Sequence, residues 1–256
     1  MKVIGDKTLG KSAPVSVPHP MQLNKYNSDP LQQLAVYNAT REPSTWVIYI
    51  HGGAWRDPKM DHMDGDPLLK SLRVPGASID YRLSPQVHHP EHLKDVLEGL
   101  GYLERTYSIS RCILVGHSAG AFLSLQSVMF ADQYDADAAK LLSERCDTII
   151  GVEGIYNLRD LELENPSYAD FVTNAFGSDR DSWDEASPAS GKYSLNGDKK
   201  LIIVHSSEDE LLNHIQPQTV ERNLKNANII RIDTTGKHDE VPKSNHLLEI
   251  VNNCIQ

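Results

Sequence analysis

The chain has 256 residues, of which 39% are hydrophobic and 23% are charged. These values are ordinary for a globular protein and exclude a collagen-like, low-complexity or intrinsically disordered chain. Acidic residues outnumber basic ones by 35 to 25, and the resulting net charge of −10 argues against a nucleic-acid-binding surface. Three scattered cysteines are too few for a disulfide framework or a zinc site, and an odd number suits a reducing compartment.

The sequence also argues against a membrane partner. No apolar run approaches the about 20 residues that span a bilayer. The first 20 residues lack both the apolar stretch of a signal peptide and the arginines of a transit peptide. We therefore expect a cytoplasmic protein, and the sequence leaves open whether it is a monomer or a homodimer.

Short apolar runs indicate the strands. Residues 1–30 are expected to form an irregular N-terminal arm, and the first candidate strand covers 31–37. Six further runs are mostly continuous rather than alternating, as in strands buried on both faces of a parallel sheet. They are WVIYI at 46–50, ASIDY at 77–81, CILV at 112–115, TIIGV at 148–152, LIIVH at 201–205 and IIRID at 229–233.

Helical patterns separate these runs. The apolar side chains recur at steps of three and four, which predicts helices after Pro90, over 119–131, over 136–145 and at the C-terminus. Alternating strands and helices predict an α/β fold with a mostly parallel central sheet and helices on both faces. We expect residues 31–256 to form a single domain. The less regular segment 154–200 is a candidate cap-like insertion.

The strongest functional signal is the sequence GHSAG at 116–120. It directly follows a predicted strand and precedes a predicted helix, which is the context that a nucleophile elbow requires. The flanking glycines allow close packing around a strained serine. Amide groups at the helix N-terminus can then stabilise developing negative charge. Ser118 is therefore the candidate nucleophile.

A second motif, HGGAW at 51–55, directly follows another predicted strand. Adjacent glycines leave backbone amides free to bind an oxyanion, and the segment matches the HGGG-type loop of esterases. We assign the oxyanion hole to the amides of Gly52, Gly53 and Ala119. His51 is expected to anchor the loop, which continues through Ala54. Trp55 is a candidate for the substrate pocket, with core packing as the alternative.

A serine nucleophile needs a base and an acid that orients the base. In this fold the chain order is serine, acid, histidine, with the acid after a late strand and the histidine after the last one. Asp209 and His238 occupy these places. Periodicity alone does not exclude the neighbouring Glu208 and Glu210, and Glu153 is a further alternative after another strand.

These motifs together resemble the hormone-sensitive-lipase-like branch of the α/β-hydrolases. Further segments are similar to those of the fungal kynurenine formamidases, also called arylformamidases, over residues 46–241. They are YRLSP at 81–85, EGIYNL at 153–158, HSSEDELL at 205–212 and KHDEV at 237–241. HGGAW and GHSAG are shared across esterases, so EGIYNL and HSSEDELL are the more specific segments.

The resemblance implies an enzyme that hydrolyses N-formyl-L-kynurenine to L-kynurenine and formate, a step of tryptophan breakdown toward NAD. The nucleophile, acid and base of the family fall on Ser118, Asp209 and His238, and no metal or organic cofactor is implied. The rival interpretations are a general carboxylesterase acting on small aryl esters and a hydrolase-fold binding protein without activity. Candidates for contact with the amino-acid end of the substrate lie near predicted strand ends: Tyr81, Arg82, Tyr156 and Asn157. The alternatives are core packing for the two tyrosines and an ordinary salt bridge for Arg82.

Overall fold

The strands form one central sheet in the computed structural model, which describes residues 21–195, 198–224 and 227–256. Within these ranges the sheet has eight strands in the order β1-β2-β4-β3-β5-β6-β7-β8. The strands β1 to β8 are, in chain order, Gln22–Lys25, Gln33–Tyr37, Ser44–Ile50, Gly76–Ile79, Ile109–His117, Cys146–Val152, Lys200–Ser206 and Asn228–Thr234. The pairings of β2 with β1 and with β4 are antiparallel, and every other pairing is parallel. The prediction of a mostly parallel sheet is confirmed.

Nine α-helices are present in the described residues. The helices α1 to α9 are Asp66–Ser71, Glu91–Thr106, Ala119–Phe130, Ala136–Glu144, Leu158–Glu164, Ala169–Phe176, Arg180–Ala186, Ile215–Asn223 and Asn245–Ile255. Within the described part of the chain, no helix has the length and apolar character needed to cross a membrane.

The two faces of the sheet bury two separate hydrophobic clusters. Successive side chains of a strand point to opposite faces, so Trp46 and Ile48 join one cluster while Val47 and Tyr49 join the other. The first cluster contains the apolar sides of α2, α3 and α4. The second contains those of α1 and α9. This burial on both sides explains why the central strands read as continuous apolar runs.

Two predicted segments differ from the structure. Part of the expected N-terminal arm is the edge strand β1. Gln22–Lys25 pairs antiparallel with β2, so its backbone forms the hydrogen bonds of a sheet. Residues 1–20 of the arm lie outside the described residues. The segment 154–200, expected to be irregular, contains α5, α6 and α7 in its described part. Each of these helices has only seven or eight residues, which is too short for a clear periodic pattern.

The parallel strands bring the candidate site residues to one edge of the sheet. Strands β3, β5, β6, β7 and β8 run in the same direction, so their carboxyl ends share an edge. The loops that follow them carry the HGGAW motif, Ser118, Glu153, Asp209 and His238. In open α/β sheets this edge is where ligands bind.

Candidate active site

Ser118 lies on a sharp turn between β5 and α3 in a backbone conformation that L-residues rarely adopt, with φ 53° and ψ −117°. Two backbone contacts hold the turn, since the Ser118 amide donates to Val152 O at 2.9 Å and its carbonyl accepts from Ile155 N at 3.2 Å. Gly120 makes the close packing feasible, because a Cβ there would lie 2.0 Å from Ile50 O. The serine side chain is 7% exposed at this edge.

The loop after β3 lies directly against the serine. A Cβ on Gly52 would lie 3.0 Å from the Cβ of Ser118. The loop then turns through three consecutive left-handed residues, Gly53, Ala54 and Trp55, with φ values of 92°, 49° and 59°. Neither Gly52 nor Gly53 donates its amide to another group within the described residues. The amides assigned to the oxyanion hole are thus unpaired beside Ser118.

Tyr81 and His51 orient this loop from below. The Tyr81 hydroxyl donates to the carbonyl oxygens of His51 and Gly52 at 3.1 and 3.0 Å, and the two rings stack with centroids 4.3 Å apart. His51 Nδ1 also lies 2.9 Å from Gly52 O. In a trans peptide the N–H points away from the carbonyl oxygen. Tying these carbonyls to Tyr81 therefore turns the amides of Gly52 and Gly53 the other way.

The acid and the histidine of the predicted site are hydrogen-bonded. His238 Nδ1 lies 2.8 Å from Asp209 Oδ2. The other carboxylate oxygen, Oδ1, accepts from the amides of Leu211 and Leu212 at 2.8 and 2.9 Å. An imidazole held through Nδ1 keeps Nε2 free to accept a proton.

The two acids beside Asp209 hold the backbone of the histidine loop. Glu208 Oε2 accepts from the Gly236 amide at 2.9 Å, and Glu210 Oε2 accepts from the His238 amide at 3.1 Å. Asp209 is the member of this trio that contacts the imidazole. The three consecutive acids thus fix the loop at three points.

Burial and pairing shift the pKa values of both partners. Burial opposes the His238 cation, but the hydrogen bond and charge of Asp209 outweigh it, so the pKa of His238 lies above its usual value. Burial also opposes the Asp209 carboxylate, yet the hydrogen bond with His238 and the neighbouring Glu153 side chain lower the pKa of Asp209 to about 2. The pair is therefore arranged to stabilise an imidazolium beside a carboxylate.

His117, the residue before Ser118, was not singled out by the sequence. Its ring packs against His238 with centroids 4.8 Å apart, and its Nε2 lies 3.2 Å from His238 O. Its Nδ1 lies 3.3 Å from Asp64 Oδ2, which also accepts from the Tyr49 hydroxyl at 2.8 Å. The variable position of the GHSAG motif thus links the serine turn to the histidine loop. The position of His117 within GHSAG was the sequence signal that could have identified it. Asp64 lies in a stretch with no recognisable motif.

The hydroxyl of Ser118 makes no hydrogen bond within the described residues, so it is not in hydrogen-bond contact with His238 here. In sites without substrate such bonds are often long, and they tighten when substrate binds. His117 links the two residues: it precedes Ser118 in the chain, and its ring packs on the ring of His238. The structure thus packs the serine turn against the glycine loop and, through His117, against the loop of His238.

The residues predicted to contact substrate are largely engaged within the protein. Asn157 caps α5 by accepting from the Asp160 amide, and it donates to Ala189 O. Arg82 forms a two-pronged ion pair with buried Asp95. Buried Tyr156 packs on Gly151 and Gly154, and its hydroxyl has no partner in the described residues. Substrate contacts by Tyr81, Tyr156 and Asn157 remain predictions.

Trp55 lies at the centre of a buried aromatic cluster. Its ring makes edge contacts with Phe122 of α3 and Phe176 of α6, at centroid distances of 5.3 and 4.9 Å, and it also lies near Phe171. The indole nitrogen has no hydrogen-bond partner within the described residues. Trp55 thus connects the glycine loop to the helices of segment 154–200.

Two groups of side chains near the site could approach a metal ion in the described residues. One consists of His117, His238 and Asp239, and the other of Glu153, His205 and Asp209. Each includes a member of the hydrogen-bonded Asp209–His238 pair, which is the carboxylate–imidazole contact that a serine nucleophile requires. We therefore assign neither group to a metal.

Comparison with known proteins identifies the family of the chain. The BD-FAE family model matches residues 33–224, three quarters of the chain. A kynurenine formamidase of Meyerozyma guilliermondii is 33% identical over 91% of this chain and 93% of its own length. Another, of Scheffersomyces stipitis, is 31% identical over 88% of this chain and 96% of its own.

Solved structures support the fold alone. Esterase B of Lactobacillus rhamnosis matches with a TM-score of 0.70 at 20% identity, over 93% of this chain and 86% of its own. A truncated carbohydrate esterase from gut microbiota matches with a TM-score of 0.71 at 20% identity, over 94% and 95%. The chain therefore has the α/β-hydrolase fold, and it is a hydrolase that belongs to the BD-FAE family and to the family of the fungal kynurenine formamidases.

Proposed function

We propose that this protein is a serine hydrolase that cleaves the formamide of N-formyl-L-kynurenine, releasing L-kynurenine and formate in tryptophan breakdown toward NAD. The observation that carries the mechanism is the 2.8 Å hydrogen bond between Asp209 and His238 beside the strained turn of Ser118. The choice of substrate is supported by the names of the relatives that align over nearly the whole chain.

In the first half of the reaction, the Ser118 hydroxyl oxygen attacks the formyl carbon while His238 Nε2 accepts its proton. The formyl oxygen becomes an oxyanion facing the amides of Gly52, Gly53 and Ala119. Asp209 orients the imidazole and stabilises its positive charge. Loss of one oxyanion donor typically costs about 10²–10³ in rate.

In the second half, His238 gives its proton to the aryl nitrogen as the carbon–nitrogen bond breaks. L-Kynurenine leaves, and the formyl group remains esterified to Ser118. Water then attacks the formyl carbon while His238 takes one of its protons. Collapse of this intermediate returns the proton to Ser118 and releases formate. These steps use no metal or organic cofactor.

The crowding around Ser118 suits a formyl group. The serine is 7% exposed, and Gly52 lies against its Cβ. A formyl carbon carries only hydrogen on its acyl side, so it needs almost no acyl pocket. The leaving arylamine is a weaker base than a peptide amine, which makes the bond easier to break. Contact of Trp55 with the aryl ring stays a prediction, because the indole is fully buried in its aromatic cluster.

The proposal extends to the setting of the enzyme. Its partner is a small-molecule substrate, and we propose a cytoplasmic location. The free thiols of Cys112, Cys146 and Cys254 support a reducing compartment.

A general carboxylesterase is the second candidate, because the structures with the same fold include esterases and the same residues would cleave aryl esters. The ratio of kcat/KM for N-formyl-L-kynurenine to that for p-nitrophenyl acetate separates the two. We expect the formamide to be preferred. An ester preference of orders of magnitude would assign the protein to the esterases.

Replacement of the nucleophile tests the mechanism. In Ser118→Ala, formate release from N-formyl-L-kynurenine should fall by about 10⁴-fold or more, because the attacking oxygen is gone. Ser127→Ala is the matched control, since this buried serine of α3 donates only to its own helix. Its activity should be comparable to that of the wild type. Substantial turnover by Ser118→Ala, with folding confirmed by circular dichroism, would contradict the assignment and favour another nucleophile.

The pH dependence tests the acid and the base. Only neutral His238 accepts a proton, so kcat/KM should fall on acidification through a pKa above the ordinary histidine value of about 6.5. In Asp209→Asn the carboxylate that contributes most to raising this pKa is absent while burial still lowers it, so the acid limb should move to lower pH. The rate on the plateau should drop by about 10³–10⁴.

Glu210→Gln is the control for this pH experiment. The glutamine oxygen can still accept from the His238 amide, so the acid limb should stay near that of the wild type. If Glu210→Gln moved the limb and Asp209→Asn did not, Asp209 would not be the orienting acid.

A further inference from the structure

Glu153 is a buried carboxyl group that the proposed mechanism does not use. It directly follows β6, is 0% exposed and has the left-handed backbone conformation φ 44°. Its amide donates to Val204 O at 3.0 Å, and its Oε1 accepts from the Ser206 amide at 2.8 Å. The second carboxyl oxygen, Oε2, has no hydrogen-bond partner among the protein donors of the described residues. A strained backbone therefore holds a buried acid with one oxygen left over.

The groups around this oxygen decide its chemistry. The titratable side chains that face Glu153 are Asp209 and His205 from the end of β7 and its loop, His238 from the loop after β8, and Tyr156 from its own loop. His205 Nδ1 lies 2.8 Å from Oε2 but is not aligned for a hydrogen bond. Burial lowers the pKa of His205, so this imidazole brings no positive charge.

Asp209 and Glu153 compete for one negative charge. A Glu153 oxygen and an Asp209 oxygen lie within 4.8 Å of each other. Two carboxyl groups at such a distance away from water do not both ionise. Asp209 accepts from His238 and from two backbone amides, whereas Glu153 accepts from one amide. The charge therefore belongs to Asp209 and the proton to Glu153.

We propose that Glu153 is a neutral carboxylic acid that donates its proton as a hydrogen bond to Asp209, and that it thereby positions the carboxylate that orients His238. A carboxylate offers about four acceptor sites. Two backbone amides, the imidazole and Glu153 would fill them. Burial and the neighbouring Asp209 raise the pKa of Glu153 to about 9, consistent with a proton held at neutral pH. Glu153 is thus a positioning residue that acts through Asp209.

The donor also limits the basicity of Asp209. A carboxylate that accepts an additional hydrogen bond attracts the imidazole proton less strongly. Loss of the donor should therefore raise the pKa of His238 and move the acid limb of kcat/KM to higher pH. This part of the inference rests on the proposed function.

Two variants of nearly equal size separate donation from packing. Glu153→Met removes the donor and should lower kcat about tenfold, as expected for a lost hydrogen bond to a charged group, with the acid limb at higher pH. Glu153→Gln keeps a neutral donor and an acceptor for Ser206, so it should restore most of the rate and the wild-type limb. If Gln were as impaired as Met, the site would need a carboxylate at Glu153 and the proposal would be wrong.

Thermal unfolding tests the proton independently of catalysis. Folded Glu153 keeps its proton up to about pH 9, whereas the unfolded chain releases it near 4.5. This difference destabilises the wild type progressively as the pH rises between these values. The Tm of Glu153→Gln relative to wild type should therefore increase from pH 5 to pH 9. A constant difference over that range would overturn the proposal even if the formamidase activity is present.

If Glu153→Met folds poorly, the proton NMR signal of His238 Nδ1–H provides a test that does not need this variant. This signal reports the Asp209 hydrogen bond directly. It should stay in place in Glu153→Gln, measured at neutral pH against the wild type. A marked shift in that variant would show that a charged Glu153 acts on the pair, which would contradict the proposal. If the wild type itself released no formate from N-formyl-L-kynurenine while the Tm trend was as expected, the proposed function would be wrong and the protonation of Glu153 would stand.

Discussion

The site depends on how closely two stretches of backbone, the loop after β3 and the turn between β5 and α3, approach each other at the carboxyl edge of the sheet. Gly120, in the first turn of α3, lies against the carbonyl of Ile50, where a Cβ would be 2.0 Å from the oxygen. Gly52 allows the next loop to lie on Ser118 itself. Because of these contacts, the strained Ser118 lies beside the amides of Gly52 and Gly53, which have no acceptor within the described residues. The strain at Ser118 is maintained by packing on both sides of the turn rather than by its local preference.

Acidic side chains hold the loop that carries His238. Glu208, Asp209 and Glu210 each contact the loop of His238, two through its backbone and one through the imidazole. His117 joins this loop to the serine turn. An acidic run in a sequence usually indicates a solvent-exposed face. Here the three acids instead hold His238 and its loop in position. In the proposed arrangement neutral Glu153 donates a hydrogen bond to Asp209, so that Asp209 carries the single negative charge of the two carboxyl groups.

Much of the fold could be predicted from sequence because burial on both faces produces apolar runs, as at 46–50 and 112–115. The helix after Pro90 and the helix that begins at Ala119 followed from periodicity. Helices α5 to α7 could not be predicted because seven or eight residues show too little of a repeat. Strand β1 was missed because Gln22–Lys25 is a mostly exposed edge strand, whose pairing depends on a distant partner.

The candidate site shows the same division. Motifs with fixed local geometry, GHSAG and HGGAW, were visible in the sequence. The choice among the acids 208–210 required three-dimensional contacts, since all three have the same charge and only Asp209 contacts the imidazole. The sequence predicts Tyr81 as a substrate contact, which stays a prediction, and the structure adds that its hydroxyl holds the glycine loop. Such a role depends on a neighbouring strand and leaves no local pattern.

The central claim is that Ser118, His238 and the amides of the glycine loop act on one reacting atom. A crystal structure of the protein treated with a serine-directed aryl phosphonate tests it most directly. We predict phosphorus bonded to Ser118 Oγ, its oxygen about 2.7–3.1 Å from the amides of Gly52, Gly53 or Ala119. His238 Nε2 should lie within about 3.2 Å of Oγ. An unlabelled Ser118, or an imidazole remote from the adduct, would contradict the account.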